Sequence, residues 1–150
     1  AVEMLKLAER NLRDAGLQGR IRLEHVDAKD LPFSDSDFDW VISNSIVHHI
    51  PEPLDCFREM QRVLRPGGLL FVRDLLRPDS SDRLEEIVAT YAGNEDDDQR
   101  QLFRQSLHAA LTVPELVGLL ESLGFPAEVV EQTSDRHWTV TATKPAEVAP

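Results

Sequence analysis

The chain has 150 residues but only one cysteine, one tyrosine and seven glycines. The single thiol, Cys56, cannot build an internal disulfide framework and suits a reducing compartment. No apolar run approaches the length of a bilayer span, and the N-terminus lacks the apolar core of a secretory signal, so the expected location is cytoplasmic. Cations are outnumbered, with 16 Lys and Arg against 27 Asp and Glu and a net charge of −11. Such a surface repels phosphate backbones, which argues against nucleic-acid binding by charge. No two glycines stand in a G-x-G arrangement beside a strand, so the loop that cradles phosphates in many doubly wound nucleotide binders is missing. No Cys, His and carboxylate set has metal-ligand spacing. Asp35 to Asp39 superficially suggests a calcium loop, but Trp40 stands where that loop needs glycine and Ile46 where it needs glutamate. That segment is read as a solvated turn.

What is present is an alternation of strand and helix signals within the length of one domain. Leu5, Ala8, Leu12 and Ala15 recur at helical spacing, with Gly16 as the stop. Ile21–Val26 alternates apolar and polar, the pattern of a half-exposed edge strand. Asp27–Phe33 is read as a loop and residues 34–37 as a polar turn, before a strand over Phe38–Ser43. The helix Leu54–Leu64 places Leu54, Phe57, Met60 and Leu64 on one face. Pro66-Gly67-Gly68 ends it, and a strand over Leu69–Leu75 follows, apolar on both sides from Leu69 to Val72 as in the interior of a parallel sheet. A polar helical insert spans about 80–111. Thr112-Val113-Pro114-Glu115 is a capping-box start for a helix that Gly124 ends. Ala127–Gln132 and Trp138–Thr143 are joined too closely for anything but an antiparallel hairpin. The tail from Pro145 is expected to be disordered.

This order predicts an α/β fold, a doubly wound sheet that ends in an antiparallel hairpin. Ligands of such sheets bind beyond the carboxyl ends of the strands. That directs attention to Asp27-Ala28, to Ser43-Asn44-Ser45 and to Arg73-Asp74, the last expected as a surface ion pair. On the residues alone, Asp27 equally suits a solvated turn and residues 43–45 a polar loop that satisfies its own backbone. His48 and His49 suit packed or surface positions better, and as chain neighbours at most one of them would face a site. Cys56, among apolar neighbours in mid-helix, is expected to be inert packing.

Asp27-Ala28, Leu31-Pro32-Phe33, Phe38-Asp39 with Val41, His48-His49-Ile50 and Leu64-Arg65-Pro66-Gly67-Gly68 resemble, in order and spacing, the successive motifs of class I S-adenosylmethionine-dependent methyltransferases. The nearest resemblance is to the small-molecule branch that includes quinone-biosynthesis enzymes. The resemblance implies a Rossmann-like methyltransferase sheet with strand order 3-2-1-4-5-7-6 and S-adenosylmethionine as cofactor. It implies that Asp27 accepts a hydrogen bond from the adenine amino group while the Ala28 amide reaches a ring nitrogen. Ser43 and Asn44 would hold the methionine end, and His48 or His49 would serve as a base or orient a small-molecule acceptor.

The family's opening strand, glycine-rich turn and ribose-binding acid have no counterpart here, and the chain starts at Ala1 inside a helical pattern. The expectation is therefore a truncated domain over residues 1–144. Its cofactor binding would be impaired, and Phe38–Ser43 would have an open edge. That edge should either pair with Ile21–Val26 or drive homodimer formation, for which exchange of the N-terminal helix and strand is one route. A catalytically silent interaction protein built on the same sheet is the alternative.

Overall fold

A computed structural model describes residues 2–145. The first helix, α1 (Val2–Asp14), closes with hydrogen bonds from the Gly16 amide to Arg13 O and from the Leu17 amide to Leu12 O. This is the Schellman arrangement that satisfies the last carbonyls of a helix. The sheet contains β1 (Phe38–Asn44), β2 (Leu64–Leu75), β3 (Val130–Ser134) and β4 (His137–Thr143), in the order β1-β2-β4-β3. β1 and β2 are parallel, whereas β4 is antiparallel to both β2 and β3. This is the 4-5-7-6 part of the expected strand order.

Two helices cover one face. α2 (Leu54–Val63) and α5 (Val113–Glu121) bury Phe57, Met60, Leu116 and Leu120 against Leu70, Val72, Trp138, Val140 and Ala142. The strand residues belong together because register pairs Leu70 with Ala142, Val72 with Val140 and Asp74 with Trp138. The opposite face carries Leu69 and Phe71 half-buried, beside Trp40 and Ile42, which are exposed. Thr112 caps α5 by accepting from the Glu115 amide while the Glu115 carboxylate takes the Thr112 amide, so the expected capping box forms.

The Pro-Gly-Gly segment lies inside β2 and not before it. Leu64 is already extended and pairs with Phe38, and Trp40 pairs with Leu69. Arg65 to Gly68 therefore bulge against Asp39 alone, and the Arg65 guanidinium pairs with its carboxylate at 2.5 Å. Lys144 joins this bulge to the end of β4. Its amide donates to Gly68 O, its carbonyl accepts from Gly67, and its ammonium reaches Leu64 O at 2.6 Å. A Cβ on Gly68 would lie 2.8 Å from Asp39 O and 2.9 Å from Arg65 O, both backbone atoms. Gly67 has φ +73° and open space around it.

Two expectations need correction. Ile21–Val26 forms no strand. An alternating pattern says which side chains face inward, but a strand exists only with a ladder partner, and β1 does not supply one. The direct pairing expected between these segments is absent. The helical insert, in contrast, forms α3 (Ser81–Ala92) and α4 (Asp97–Ala109), which share a small core of Ile87, Val88, Leu107 and Ala110 with Leu75. Its two ends meet. Leu76 and Leu111 form a parallel bridge, and the Arg77 amide donates to Leu111 O. Residues 146–150, most of the expected tail, lie outside the described residues.

Gly68→Ala is expected to destabilise the domain by about 2–4 kcal/mol because backbone atoms must move. Gly67→Ala should cost about 1 kcal/mol, from the left-handed φ alone. Urea unfolding of both variants checks the order; equal losses would show that the bulge tolerates a side chain at position 68.

Candidate active site

The carboxyl ends of β1 and β2 lie side by side, with Asn44 in register with Arg73. Past β1 the chain turns sharply. Ser45 takes a left-handed conformation (φ 55°), and its amide donates to Arg73 O at 2.9 Å. Non-glycine residues adopt such angles mainly where surrounding contacts enforce them. The turn sends the next two amides towards β2. Ile46 N and Val47 N donate to Asp74 Oδ2 at 2.8 and 2.6 Å, and Val47 begins a short 3-10 turn, Val47–His49.

Asp74 is the residue that sequence reasoning misplaced. It is not part of a surface ion pair, because its side chain is 0% exposed. Its other oxygen, Oδ1, accepts from His48 Nδ1 at 2.5 Å and from the Leu75 amide at 2.7 Å. Burial pushes the Asp74 carboxyl pKa up, but hydrogen bonds from His48 and from the Leu75 and Val47 amides outweigh it, and the net direction is down. The group is therefore an anion that the protein solvates with its own donors. The signal in the sequence is an acid just past the apolar run Leu69–Val72 of an interior strand, where water cannot satisfy it.

A carboxylate can only accept, so His48 Nδ1 carries the proton in this bond. The side chain of His48 is 6% exposed, and its ring lies 3.9 Å from that of His49. The bond to Asp74 fixes the tautomer, leaving Nε2 as the atom able to take a proton when the ring is neutral. His49 is on the exposed side of the turn, and the imidazole bonded to Asp74 is that of His48. Of the two histidines, the structure brings His48 alone to the carboxylate.

Ser43 precedes this turn on the helix-covered face. Its Oγ is buried and has no partner among the described residues. Asn44 is exposed beyond it. An unsatisfied buried hydroxyl beside exposed polar groups at a strand end fits a polar ligand group better than it fits a closed core. Asp27 and Ala28 lie on a loop held to α2. Asp27 is exposed, and its Oδ1 accepts from the Lys29 amide at 2.9 Å and from Lys29 Nζ at 3.1 Å. Those bonds hold its carboxyl pKa below the usual carboxylate range. Ala28 packs against the main core. Cys56 is fully buried, and burial raises its thiol pKa to about 11, so it remains protonated and inert.

Asp74→Asn is expected to cost about 2–4 kcal/mol at pH 7, because an amide cannot accept every bond the carboxylate takes. The folded-state pKa lies below the unfolded value of about 3.9, so the contribution of Asp74 is present above that pH and is lost as acid carries the protein through the folded value. Urea unfolding at descending pH should show the gap between wild type and variant closing below about pH 4. A constant gap would mean that the carboxylate is not the source of the stability.

Residues 1–72 match the family model described as a methyltransferase domain. The chain is 28% identical over 132 residues to the ubiquinone/menaquinone biosynthesis C-methyltransferase of Idiomarina loihiensis, covering 81% of this chain and 52% of that protein. It is 31% identical over 134 residues to the 27-O-demethylrifamycin SV methyltransferase of Amycolatopsis mediterranei, covering 87% and 46%. The chain thus spans about half the length of the curated relatives it matches. Among solved structures it superposes on a SAM-dependent methyltransferase from Aquifex aeolicus with a TM-score of 0.65 at 17% identity, covering 95% of this chain and 64% of that one. Motif order, sheet topology and these similarities together support a class I S-adenosylmethionine-dependent methyltransferase domain.

Proposed function

We propose that this chain carries the acceptor-side machinery of a small-molecule methyltransferase, with His48 as the general base for an acceptor hydroxyl. The observation that carries this reading is the His48–Asp74 pair. S-adenosylmethionine, the family's cofactor, supplies an electrophilic methyl group when bound. The residues fit it: Ser43 Oγ and Asn44 would hold its methionine end, and Asp27 and Ala28 its adenine. Methyl transfer is an in-line displacement whose main requirement is positioning, and a hydroxyl acceptor must also lose a proton. His48 Nε2 takes that proton. Asp74 holds the ring in the needed tautomer and stabilises the imidazolium that results, without itself becoming protonated. The α3–α4 insert would cover the acceptor, since its base is built on Leu75, the residue after Asp74.

Calorimetry with S-adenosylhomocysteine tests the cofactor part. Micromolar affinity supports it, and no binding at millimolar ligand contradicts it. His48→Ala is expected to leave that affinity unchanged while reducing turnover of a hydroxyl acceptor by about 10²–10⁴-fold. Equal turnover in the variant would remove His48 from the mechanism.

A second reading, an interaction module on the same sheet, draws on the outer edge of β1. Trp40 is 64% exposed and Ile42 63% exposed there, on a strand paired on one side only among the described residues. Apolar side chains along an unpaired strand invite another strand, and a second copy of the chain is the occupant proposed. Sedimentation equilibrium should then show a dimer that Trp40→Glu dissociates; a monomer at all concentrations contradicts the proposal.

A further inference from the structure

The loop that carries Asp27 and Ala28 has no strand ladder, yet its backbone is not left to solvent. Two side chains one turn apart on α2 do what a neighbouring strand would do. Glu59 Oε2 accepts from the Leu31 amide at 2.8 Å, and Arg62 Nη2 donates to the Leu31 carbonyl at 2.9 Å. Both polar groups of Leu31 are thus satisfied by one helix. Arg62 Nη1 adds bonds to Phe33 O at 2.8 Å and to the Asp35 carboxylate at 2.7 Å. The two side chains are locked to each other by a fork, Nε to Oε1 and Nη2 to Oε2, each at 2.7 Å. This bidentate pairing holds the Glu59 carboxyl down to about 2 and the Arg62 guanidinium above its usual range.

The constraint reaches Asp27 through a short, closed turn. The Asp30 amide donates to Asp27 O at 3.1 Å, and Asp27 Oδ1 takes the Lys29 amide. Ala28 is pinned from below by the core, and Phe33 packs edge-on against Phe38 at 5.0 Å between centroids. Few torsions between Leu31 and Asp27 are free to absorb a change at the clamp.

We propose that Glu59 and Arg62 are positioning residues that set the Asp27–Phe33 loop in the conformation that receives the adenine end of the cofactor, an inference that rests on the reading of Asp27 and Ala28 given above. Neither side chain touches the ligand. Lysine at position 62 keeps the charge but has no planar fork, so it cannot hold Glu59 and the two carbonyls together.

The test measures calorimetric affinity of wild type, Arg62→Lys, Glu59→Gln and Asp35→Asn for two ligands. One is S-adenosylhomocysteine and the other S-inosylhomocysteine, which has a carbonyl in place of the adenine amine. Amide exchange is followed in parallel. Arg62→Lys and Glu59→Gln are expected to weaken S-adenosylhomocysteine binding at least tenfold and to narrow the preference for the amine-bearing ligand. Exchange should rise in residues 27–33 while residues 69–75 and 137–143 stay protected. Asp35→Asn, which leaves both carbonyl bonds, should behave like wild type. Wild type that prefers the amine, with variants that keep that preference, overturns the positioning role alone. Protection lost evenly across the sheet also overturns it, since that marks a merely structural pair. Wild type that binds both ligands equally, or neither, overturns the adenine reading and the inference with it.

Discussion

The upper part of this domain is organised by one buried anion. A carboxylate removed from water is tolerable only if donors replace its hydration, and Asp74 has them from three backbone amides and one imidazole. Each donor is thereby fixed in turn. The chain after β1 must bend through a left-handed residue to aim two successive amides at β2, and the third residue of that bend delivers the His48 ring. The end of one strand, the turn after another and the candidate base therefore form a single unit. Replacing any member leaves a charge or a donor unsatisfied in a region that water does not reach.

A second group of polar contacts ties the lower part together. The bulge at Arg65–Gly68 lets β2 leave α2 without a separate loop, and Lys144 fastens the end of β4 to that bulge and to the last carbonyls of α2. The arginine–glutamate fork on α2 extends the same strategy to the loop beyond. In both places a long cationic side chain binds backbone carbonyls that regular secondary structure leaves over. Apolar burial supplies the core, and these contacts decide where the irregular segments sit on it.

Local signals were legible in the sequence. The capping box at Thr112, the helical spacing around Phe57 and Met60, and the apolar run after Gly68 each involve neighbours within a few positions. The observed helices and interior strand follow them closely. Signals that need a distant partner were not legible. Ile21–Val26 has the alternation of a strand but no ladder, because alternation does not name a neighbour. Asp74 read as a surface acid since three of its four donors come from residues 46–48, far along the chain. Glu59 and Arg62 carry no signal of their own in the sequence, and only the return of Leu31 and Phe33 gives them a role. At the candidate site, the motif resemblance points to Ser43 and His48, whereas their chemical environment comes from the packing of two parallel strand ends.

The parallel bridge between Leu76 and Leu111 gives the insert the form of a stem with a removable crown. Everything from α3 to α4 leaves and re-enters through one pair of hydrogen-bonded residues, so its length is not tied to strand register. The entropy of closing such an excursion grows only slowly with its size. The insert can therefore vary in length while the anion, the turn and the imidazole beneath it stay in place.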